Sequence, residues 1–303
     1  MEETQQGIVT SLQQGRLVVA ALVLAALWTA ESVAPMFAGR HRRMSHIASN
    51  LGLAAINTVV AAAFAFAILG VTEWARANGF GALRLTPLPA WLQWIAAILL
   101  FDCWQYWWHR INHRVPLLWR FHSVHHADAE MDASSGVRFH TVEMIFSFLA
   151  RLAVLPLIGM TIPQLLVYEA VSLPIILFHH GNVRIPARLD RSLRWLIVTP
   201  WMHVVHHSRW KPETDSNYSS LLSVWDRIFG SFRLRANPQE ISLGLDDWDA
   251  RDWRRLPGML FAPIRSRTPG APSRRETDNK REPLNGERGK RVSEQTDRDG
   301  GAS

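Results

Sequence analysis

Eight of the 13 histidines fall into three short motifs, one H-x-x-x-H and two H-x-x-H-H. They are His109, His113, His122, His125, His126, His203, His206 and His207. On a helix, residues i, i+3 and i+4 share a face, so each motif directs its imidazoles at one point or at two neighbouring points. Neutral imidazole is a ligand for divalent transition metals, and eight imidazoles are too many for one ion. The spacing therefore predicts a site for two metal ions.

Apolar segments around these motifs predict a membrane protein. Residues 51–71 form a run of 21 residues without a charge, which is long enough to cross the hydrocarbon core of a bilayer. Residues 17–38 and 88–108 are similar, although the first run contains Glu31 and the second contains Asp102. We predict a membrane span for each of the three runs.

A fourth apolar region, residues 144–178, is interrupted by charged residues, prolines and a glycine. It is expected to form two shorter helices joined near residues 159–163, either as a full hairpin or as a re-entrant one. The predicted fold is all-α: an integral membrane helical bundle with a cytosolic helical cap that holds a histidine-rich dimetal site.

The composition divides the chain into three parts. Residues 1–16 are an N-terminal segment, and residues 17–264 form the membrane-embedded domain. The charged tail, residues 265–303, has almost no large apolar side chains, so it cannot bury a core and is expected to be disordered.

The net charge of +7 does not indicate nucleic-acid binding, because no RNA- or DNA-binding motif is present. Arginines instead follow the first and third spans, as the positive-inside rule describes, which places the histidine motifs on the cytosolic side. His41 and His46 are expected in the basic loop between the first two spans. Arginine far outnumbers lysine, which favours a bacterial source and hence the inner membrane.

A single cysteine excludes a disulfide within the chain and a Cys-ligated zinc or iron–sulfur site.

The segment from Asp102 to His126 reads D-x-x-x-Y-W-x-H-R-x-x-H-x-x-P-x-L-W-R-F-H-x-V-H-H and resembles the signature of the fatty acid hydroxylase / sterol desaturase superfamily. Further matches are R-x-H-x-x-E at 138–143, H-x-N at 180–182, the third histidine motif, Asn-Tyr at 217–218 and Trp-Asp-Arg-x-Phe-Gly at 225–230. The resemblance covers about residues 25–235. Thr141 and Ser219 stand where the family usually has proline and glycine, and neither touches a motif histidine.

The resemblance implies a non-haem oxygenase with two iron ions as cofactor and O2 as co-substrate, which hydroxylates or desaturates a membrane lipid of sterol, fatty acyl, alkyl or carotenoid type. The alternative is a membrane metal-binding or metal-transport protein without oxygenase activity. A metalloprotease is disfavoured because H-E-x-x-H is absent. The sequence has no dinucleotide, haem or ferredoxin fingerprint, so electrons are expected from a separate ferredoxin with its reductase or from a cytochrome b5-like protein.

Four further residues are candidates for the site. His180 resembles the histidine of the family's H-x-N motif and is predicted to be a ninth metal ligand, whereas His179 is expected to pack. A carboxylate in a span is costly, so Asp102 is predicted to accept the free N–H of a ligand histidine, or to pair with a nearby arginine. His140 and Asn182 are predicted to lie beside the ligands, and His140 could itself bind metal or face the substrate.

Overall fold

The computed structural model describes the backbone of residues 2–39, 42–85, 87–246 and 248–265, and the side chains of these ranges except at 2–17 and 250. In these ranges the regular structure is helical, and the only β-type pairings are isolated bridges between loops. The all-α prediction is therefore confirmed. The predicted charged tail lies, apart from its first residue, outside the described residues, and so does His41.

Three long helices form the first half of the fold: α1 (Glu2–Val33), α2 (Arg43–Ala77) and α3 (Ala90–Arg114). α2 lies in a segment, Arg43–Arg84, that is long and apolar enough to cross a membrane. The described apolar part of α1, Val18–Val33, is shorter than a span. The helix begins well before the predicted boundary at residue 17, so residues 2–16 are continuous with it.

α3 differs from the predicted third span. It runs to Arg114, past the predicted end at residue 108, and it carries the first histidine motif in its last turns. It is not among the three segments of the described chain that are long and apolar enough to cross a membrane. The reason is its composition, because Asp102, the histidines and the arginines interrupt the apolar run.

The apolar region after the second histidine motif forms two helices, α5 (Thr141–Ile158) and α6 (Ile162–His180), and both could cross a membrane. α5 ends at Ile158 and is capped by Gly159, whose φ of 79° lies in the left-handed region that favours glycine. Gln164 Oε1 accepts a hydrogen bond from the Thr161 backbone N–H at 2.8 Å and so caps the start of α6. The junction lies where the sequence predicts it.

The remaining helices are short, and histidine motifs lie on two of them. They are α4 (Pro116–His126), α7 (Ala187–Leu193), α8 (Pro200–His206), α9 (Lys211–Thr214), α10 (Val224–Ile228), α11 (Ala250–Arg254) and α12 (Leu256–Arg265). The largest apolar core lies between α2, α3, α5 and α6, where Phe101, Phe148 and Tyr168 are buried. A smaller core joins α1 to α6 through Leu27 and Leu177. These two cores pack the long helices against one another, and the short helices pack on the long ones.

Candidate metal centre

The first two histidine motifs lie on α3 and α4, and a proline separates the two helices. Pro116 occupies the first turn of α4, where the missing N–H needs no partner. It holds Val115 in an extended conformation (φ −93°, ψ 116°), which ends α3 at Arg114. The chain turns there, and α4 packs against α3.

The third histidine motif begins on α8 and ends at His207, the residue after it, and two polar side chains hydrogen-bond to the first turn of the helix. Thr199 Oγ1 accepts a hydrogen bond from the Met202 backbone N–H at 3.4 Å, and Pro200 occupies the first turn. Asn217 Nδ2 donates to the Met202 carbonyl at 2.8 Å. Asn217 has a φ of 52°, a left-handed conformation that asparagine adopts more readily than most residues. The Asn-Tyr motif thus holds α8 in place.

The structure brings all eight motif histidines and His180 together in two groups, and within each group the ligand atoms lie within 4.8 Å of one another. The five-histidine group consists of His109, His113, His122, His126 and His206. The four-histidine group consists of His125, His180, His203 and His207. Both H-x-x-H-H motifs are divided alike: the first and last histidines share one group, and the middle one joins the other. The rings of His126 and His207 stack with centroids 4.6 Å apart, so the two groups adjoin.

In the five-histidine group, three imidazoles direct Nε2 lone pairs at one another. Nδ1 of His109 and Nδ1 of His206 face backbone carbonyl oxygens at 2.8 and 2.6 Å, and Nδ1 of His122 faces Glu143 Oε1 at 2.7 Å. Each Nδ1 therefore carries the proton, and each Nε2 of a neutral ring is an acceptor only. Yet Nε2 of His109 is 3.1 Å from Nε2 of His122 and 3.0 Å from Nε2 of His206. Lone pairs this close repel unless a cation lies between them.

The four-histidine group repeats this arrangement. Nδ1 of His125 and Nδ1 of His180 face backbone carbonyl oxygens at 3.2 and 2.7 Å, while their Nε2 atoms are 3.1 Å apart. Nε2 of His203 is 3.0 Å from that of His180 and 3.2 Å from that of His207. Two nitrogens bound at about 2.1 Å to one metal ion, at a right angle, are about 3.0 Å apart. In each group, the residues and the distances between their nitrogen atoms fit one bound metal ion.

The electrostatics favour neutral ligands. Burial, and after it the charge of neighbouring imidazoles, lowers the pKa of the grouped histidines that lie outside the candidate spans. These are His109, His113, His125, His126, His203, His206 and His207. In addition, neither ring nitrogen of His113 or His126 makes a hydrogen bond, although both side chains are buried; Nδ1 of His113 lies 3.5 Å from Asp215 Oδ1. Buried nitrogens without hydrogen bonds are destabilising, and metal coordination would satisfy them.

The other three predicted site residues lie elsewhere. Asp102 does not contact a ligand histidine: its carboxylate accepts hydrogen bonds from Tyr168 Oη at 2.8 Å, Trp225 Nε1 at 2.7 Å and the Leu222 backbone N–H at 3.1 Å. The predicted role of Asp102 in orienting a ligand is thus replaced by a structural one, because α3 turns this side chain towards α6 and α10.

His140 and Asn182 also differ from their predicted places beside the ligands. His140 Nδ1 accepts a hydrogen bond from the Val142 backbone N–H at 3.1 Å and caps α5, while Nε2 faces the Leu260 carbonyl at 3.1 Å. Both ring nitrogens are therefore occupied, and His140 belongs to neither group. Asn182 makes two hydrogen bonds with the backbone of Phe37, at 2.8 and 3.0 Å. It fastens the end of α6 to the chain after α1.

Two carboxylates hold parts of the candidate centre in place, although the sequence analysis assigned them no role. Glu143, which is 5% exposed, is bonded to His122. Asp226 accepts hydrogen bonds from the backbone N–H groups of Tyr218 and Ser219 at 2.7 and 3.0 Å, and the Tyr218 carbonyl in turn faces His109. Both residues lie in motifs that resemble those of the family. Glu143 could have been identified from the sequence as a carboxylate at the start of an apolar helix.

Comparison with known proteins places these motifs in one family. Residues 94–231 match the model of the fatty acid hydroxylase family, and this range contains all nine grouped histidines. The segment that carries the histidine groups is therefore similar to this family. No solved structure matches the chain.

Curated relatives share about half of this chain. Ornithine lipid hydroxylase OlsE of Rhizobium tropici is 31% identical over 137 residues, which are 45% of this chain and 40% of the relative. Alkylglycerol monooxygenase of Homo sapiens is 30% identical over 153 residues, 50% of this chain and 33% of the relative. Cholesterol 25-hydroxylase of Homo sapiens is 28% identical over 143 residues, 46% of this chain and 51% of the relative. The similarity thus spans about half or less of each relative.

Proposed function

We propose that the chain is an O2-dependent lipid hydroxylase that binds two iron ions, one in each histidine group. The observation that carries the proposal is the convergence of acceptor nitrogens in two adjoining buried groups. An iron pair, when bound, supplies the oxidising power that unreactive C–H bonds require and that amino-acid side chains lack.

In this proposal the side chains of the protein bind the iron ions, and the backbone around them orients the histidine rings. Backbone carbonyls of Tyr218, Ser216 and Arg138 face Nδ1 of His109, His206 and His125, which fixes each tautomer and leaves Nε2 as the ligand atom. The groups are buried beneath α3, α4, α6 and α8, so the protein excludes water from the centre. Exclusion of water protects reactive species from side reactions.

The substrate that we propose is a membrane lipid. Glu143 lies in the first turn of α5 and His180 in the last turn of α6, so the metal centre lies at one end of two candidate spans. A lipid could therefore reach it sideways from the bilayer. The relatives are named as a lipid hydroxylase, a monooxygenase and a sterol hydroxylase, which supports hydroxylation over desaturation.

We further propose that electrons come from a separate protein, either a ferredoxin with its reductase or a cytochrome b5-like protein. The support is the lack of any dinucleotide, haem or iron–sulfur fingerprint in the sequence. The arginines beside the histidine motifs support a metal centre on the cytosolic side, and the excess of arginine over lysine supports a bacterial inner membrane.

The test combines metal content with product formation. The protein is purified without oxygen, loaded with ferrous iron and given membrane lipids, a chemical reductant and isotopically labelled O2. We expect two iron ions per chain and one labelled oxygen atom in a lipid product. His207→Ala should lose the iron ion of the four-histidine group and form no product, whereas the matched control His140→Asn, which keeps a cap for α5, should retain both iron ions and the product. Zinc or no metal in the wild type, without labelled product, would favour the metal-binding or metal-transport alternative.

A further inference from the structure

An arginine-lined cleft lies where the start of α2 meets α11 and α12. It has a volume of about 270 Å³ and is lined by four arginines and two serines. They are Arg42, Ser45, Ser49, Arg251, Arg254 and Arg255. An adjoining cleft of about 260 Å³ shares Arg251 and Arg255 and adds Arg265, Phe261 and the acidic Asp252. All of these residues lie outside the segment that matches the family model, so the cleft is a feature of this chain beyond that match.

The backbone that carries these arginines is held firmly. Ser49 Oγ donates a hydrogen bond to the Arg254 carbonyl at 3.1 Å, and buried Arg138 donates from Nη2 to the Trp253 carbonyl at 2.6 Å. Gly258 lets α12 pack directly on α11, since a Cβ there would lie 2.3 Å from the Asp252 carbonyl oxygen. The arginines of α11 are therefore placed against α2 by contacts that do not involve their own charges.

The cleft has more positive charge than its neighbours neutralise. Arg254 pairs with Glu130 at 3.0 Å, and Arg251 pairs with Asp249 at 3.3 Å on an exposed surface. Arg42 and Arg255 form no ion pair with a carboxylate in the described part of the chain. Guanidinium groups bind phosphate through paired N–H donors, and several of them facing one concave space suit a single phosphate group.

Exposed apolar side chains on the helices that form the cleft indicate where that phosphate comes from. Met44, Phe261 and Ile264 are 65%, 49% and 59% exposed, and α2 enters a candidate span from Arg43 onwards. Arg265 stacks over the Phe261 ring at 5.5 Å. Exposed apolar side chains next to arginines, at the end of a span, are typical of a helix that lies in the headgroup region.

We propose that the arginine-lined cleft binds the phosphate group of an anionic phospholipid of the surrounding bilayer. The apolar side chains of α12 then contact the first part of the acyl chains. This lipid site is separate from the metal centre and does not depend on the reaction performed there.

The test measures lipid binding by the full chain in detergent, using native mass spectrometry with added phosphatidylglycerol, phosphatidylcholine or inorganic phosphate. We expect phosphatidylglycerol to remain bound preferentially. The double variant Arg42→Gln/Arg255→Gln should weaken that binding by roughly tenfold or more, because each arginine near an anionic surface contributes about 1 kcal/mol. The control Arg188→Gln/Arg191→Gln removes two exposed charges from α7 and should bind lipid as the wild type does. Should the double variant lose its metal, the variant Arg255→Gln alone is compared instead.

Four outcomes would overturn the proposal. Equal loss of binding in the α7 control would show that only net charge matters. Displacement of phosphatidylglycerol by equimolar inorganic phosphate would identify free phosphate as the ligand. Equal retention of phosphatidylcholine would show that an anionic headgroup is not required. Unchanged lipid binding in the double variant, with weaker binding of an acidic ferredoxin, would make the cleft a docking site for an electron donor.

Discussion

At the scale of single residues, the division of each H-x-x-H-H motif between two groups is the central feature. His122 and His126 are one helical turn apart and reach the five-histidine group, while His125 points to the four-histidine group. In the third motif the assignment is reversed, so that His206 joins the five-histidine group. Each metal ion would therefore be held by side chains from both motifs, and neither α4 nor α8 could bind an ion alone.

This division predicts a pattern of metal loss in paired variants. His125→Ala/His203→Ala removes two ligands from the four-histidine group, and the chain should retain about one iron ion because the five-histidine group is intact. His125→Ala/His206→Ala removes one ligand from each group and should lower the affinity of both sites. Iron per chain, measured by elemental analysis after dialysis against a weak chelator, distinguishes the two variants. Identical metal contents would contradict the division.

Glu143 predicts a graded effect on the five-histidine group. Its carboxylate holds the Nδ1–H of His122 at 2.7 Å, and partners of this kind typically change metal affinity 10–100-fold. Glu143→Ala should weaken iron binding by about that factor, and Glu143→Gln should weaken it less, because the amide oxygen still accepts the hydrogen bond. Glu73→Ala, in an exposed ion pair on α2, serves as the control. A chelator titration of iron measures the effect, and equal affinities for all three variants would exclude this role.

At the scale of helices, His46 joins α2 to the chain that follows α4. The sequence places this histidine in a basic loop, but it lies in the first turn of α2 and is 4% exposed. Its Nδ1 is 3.0 Å from Asp132 Oδ2, and its Nε2 is 2.9 Å from Asp128 Oδ2. Asp128 follows His126 by two residues, so this buried contact holds the end of α4 against the long helix.

Loss of this contact should destabilise the fold. His46→Gln would leave two buried carboxylates without an imidazole between them, and breaking a buried ion pair typically costs about 3–5 kcal/mol. We expect a markedly lower Tm in detergent by differential scanning fluorimetry. The neighbouring exposed change Ser45→Ala should alter stability by no more than about 0.5 kcal/mol. An unchanged Tm in His46→Gln would show that the contact contributes little.

At the scale of the whole molecule, the candidate metal centre lies at one end of the long helices, and the loops that follow α2 and α5 lie at the other end. α5 begins beside the centre, where Glu143 contacts His122, and ends just before Gly159. Gly159 meets Gly81 in the loop after α2, where a Cβ on Gly81 would be 2.5 Å from the Gly159 backbone. The loops after α2 and α5 therefore meet at the end of these helices remote from the centre.

This arrangement makes the predicted orientation testable. Since Gly79 lies in the loop after α2 and Arg120 lies on α4 with the second histidine motif, the two residues should face opposite sides of the membrane. An alkaline phosphatase fusion at Gly79 should be active because it is exported, and a fluorescent protein at Arg120 should be active because it remains in the cytosol. If both fusions are inactive, and both reporters become active when they are exchanged between the two sites, the orientation is the reverse of the predicted one. The electron donor would then lie on the other side of the membrane.

The sequence by itself was enough to predict the helical class, the meeting of the motif histidines and the family resemblance, because these depend on spacing along one helix, on local apolar runs and on short motifs. It gave the junction near Gly159, since glycine and proline act on the backbone where they stand. It did not give the partners of Asp102, His140 and Asn182, or the burial of His46. Those contacts join residues far apart in the chain, such as Asp102 with Trp225 and His46 with Asp128.

The tertiary structure alone decided which histidine belongs to which group. Spacing puts His122, His125 and His126 on one side of α4, but it does not say where the imidazoles of α3, α6 and α8 approach that side. The answer depends on how α8 is held by Thr199 and Asn217 and on the turn at Pro116, which together set the positions of the helices around α4. A dimetal site shared between helices is a property of their packing, and packing is fixed only when the whole core has formed.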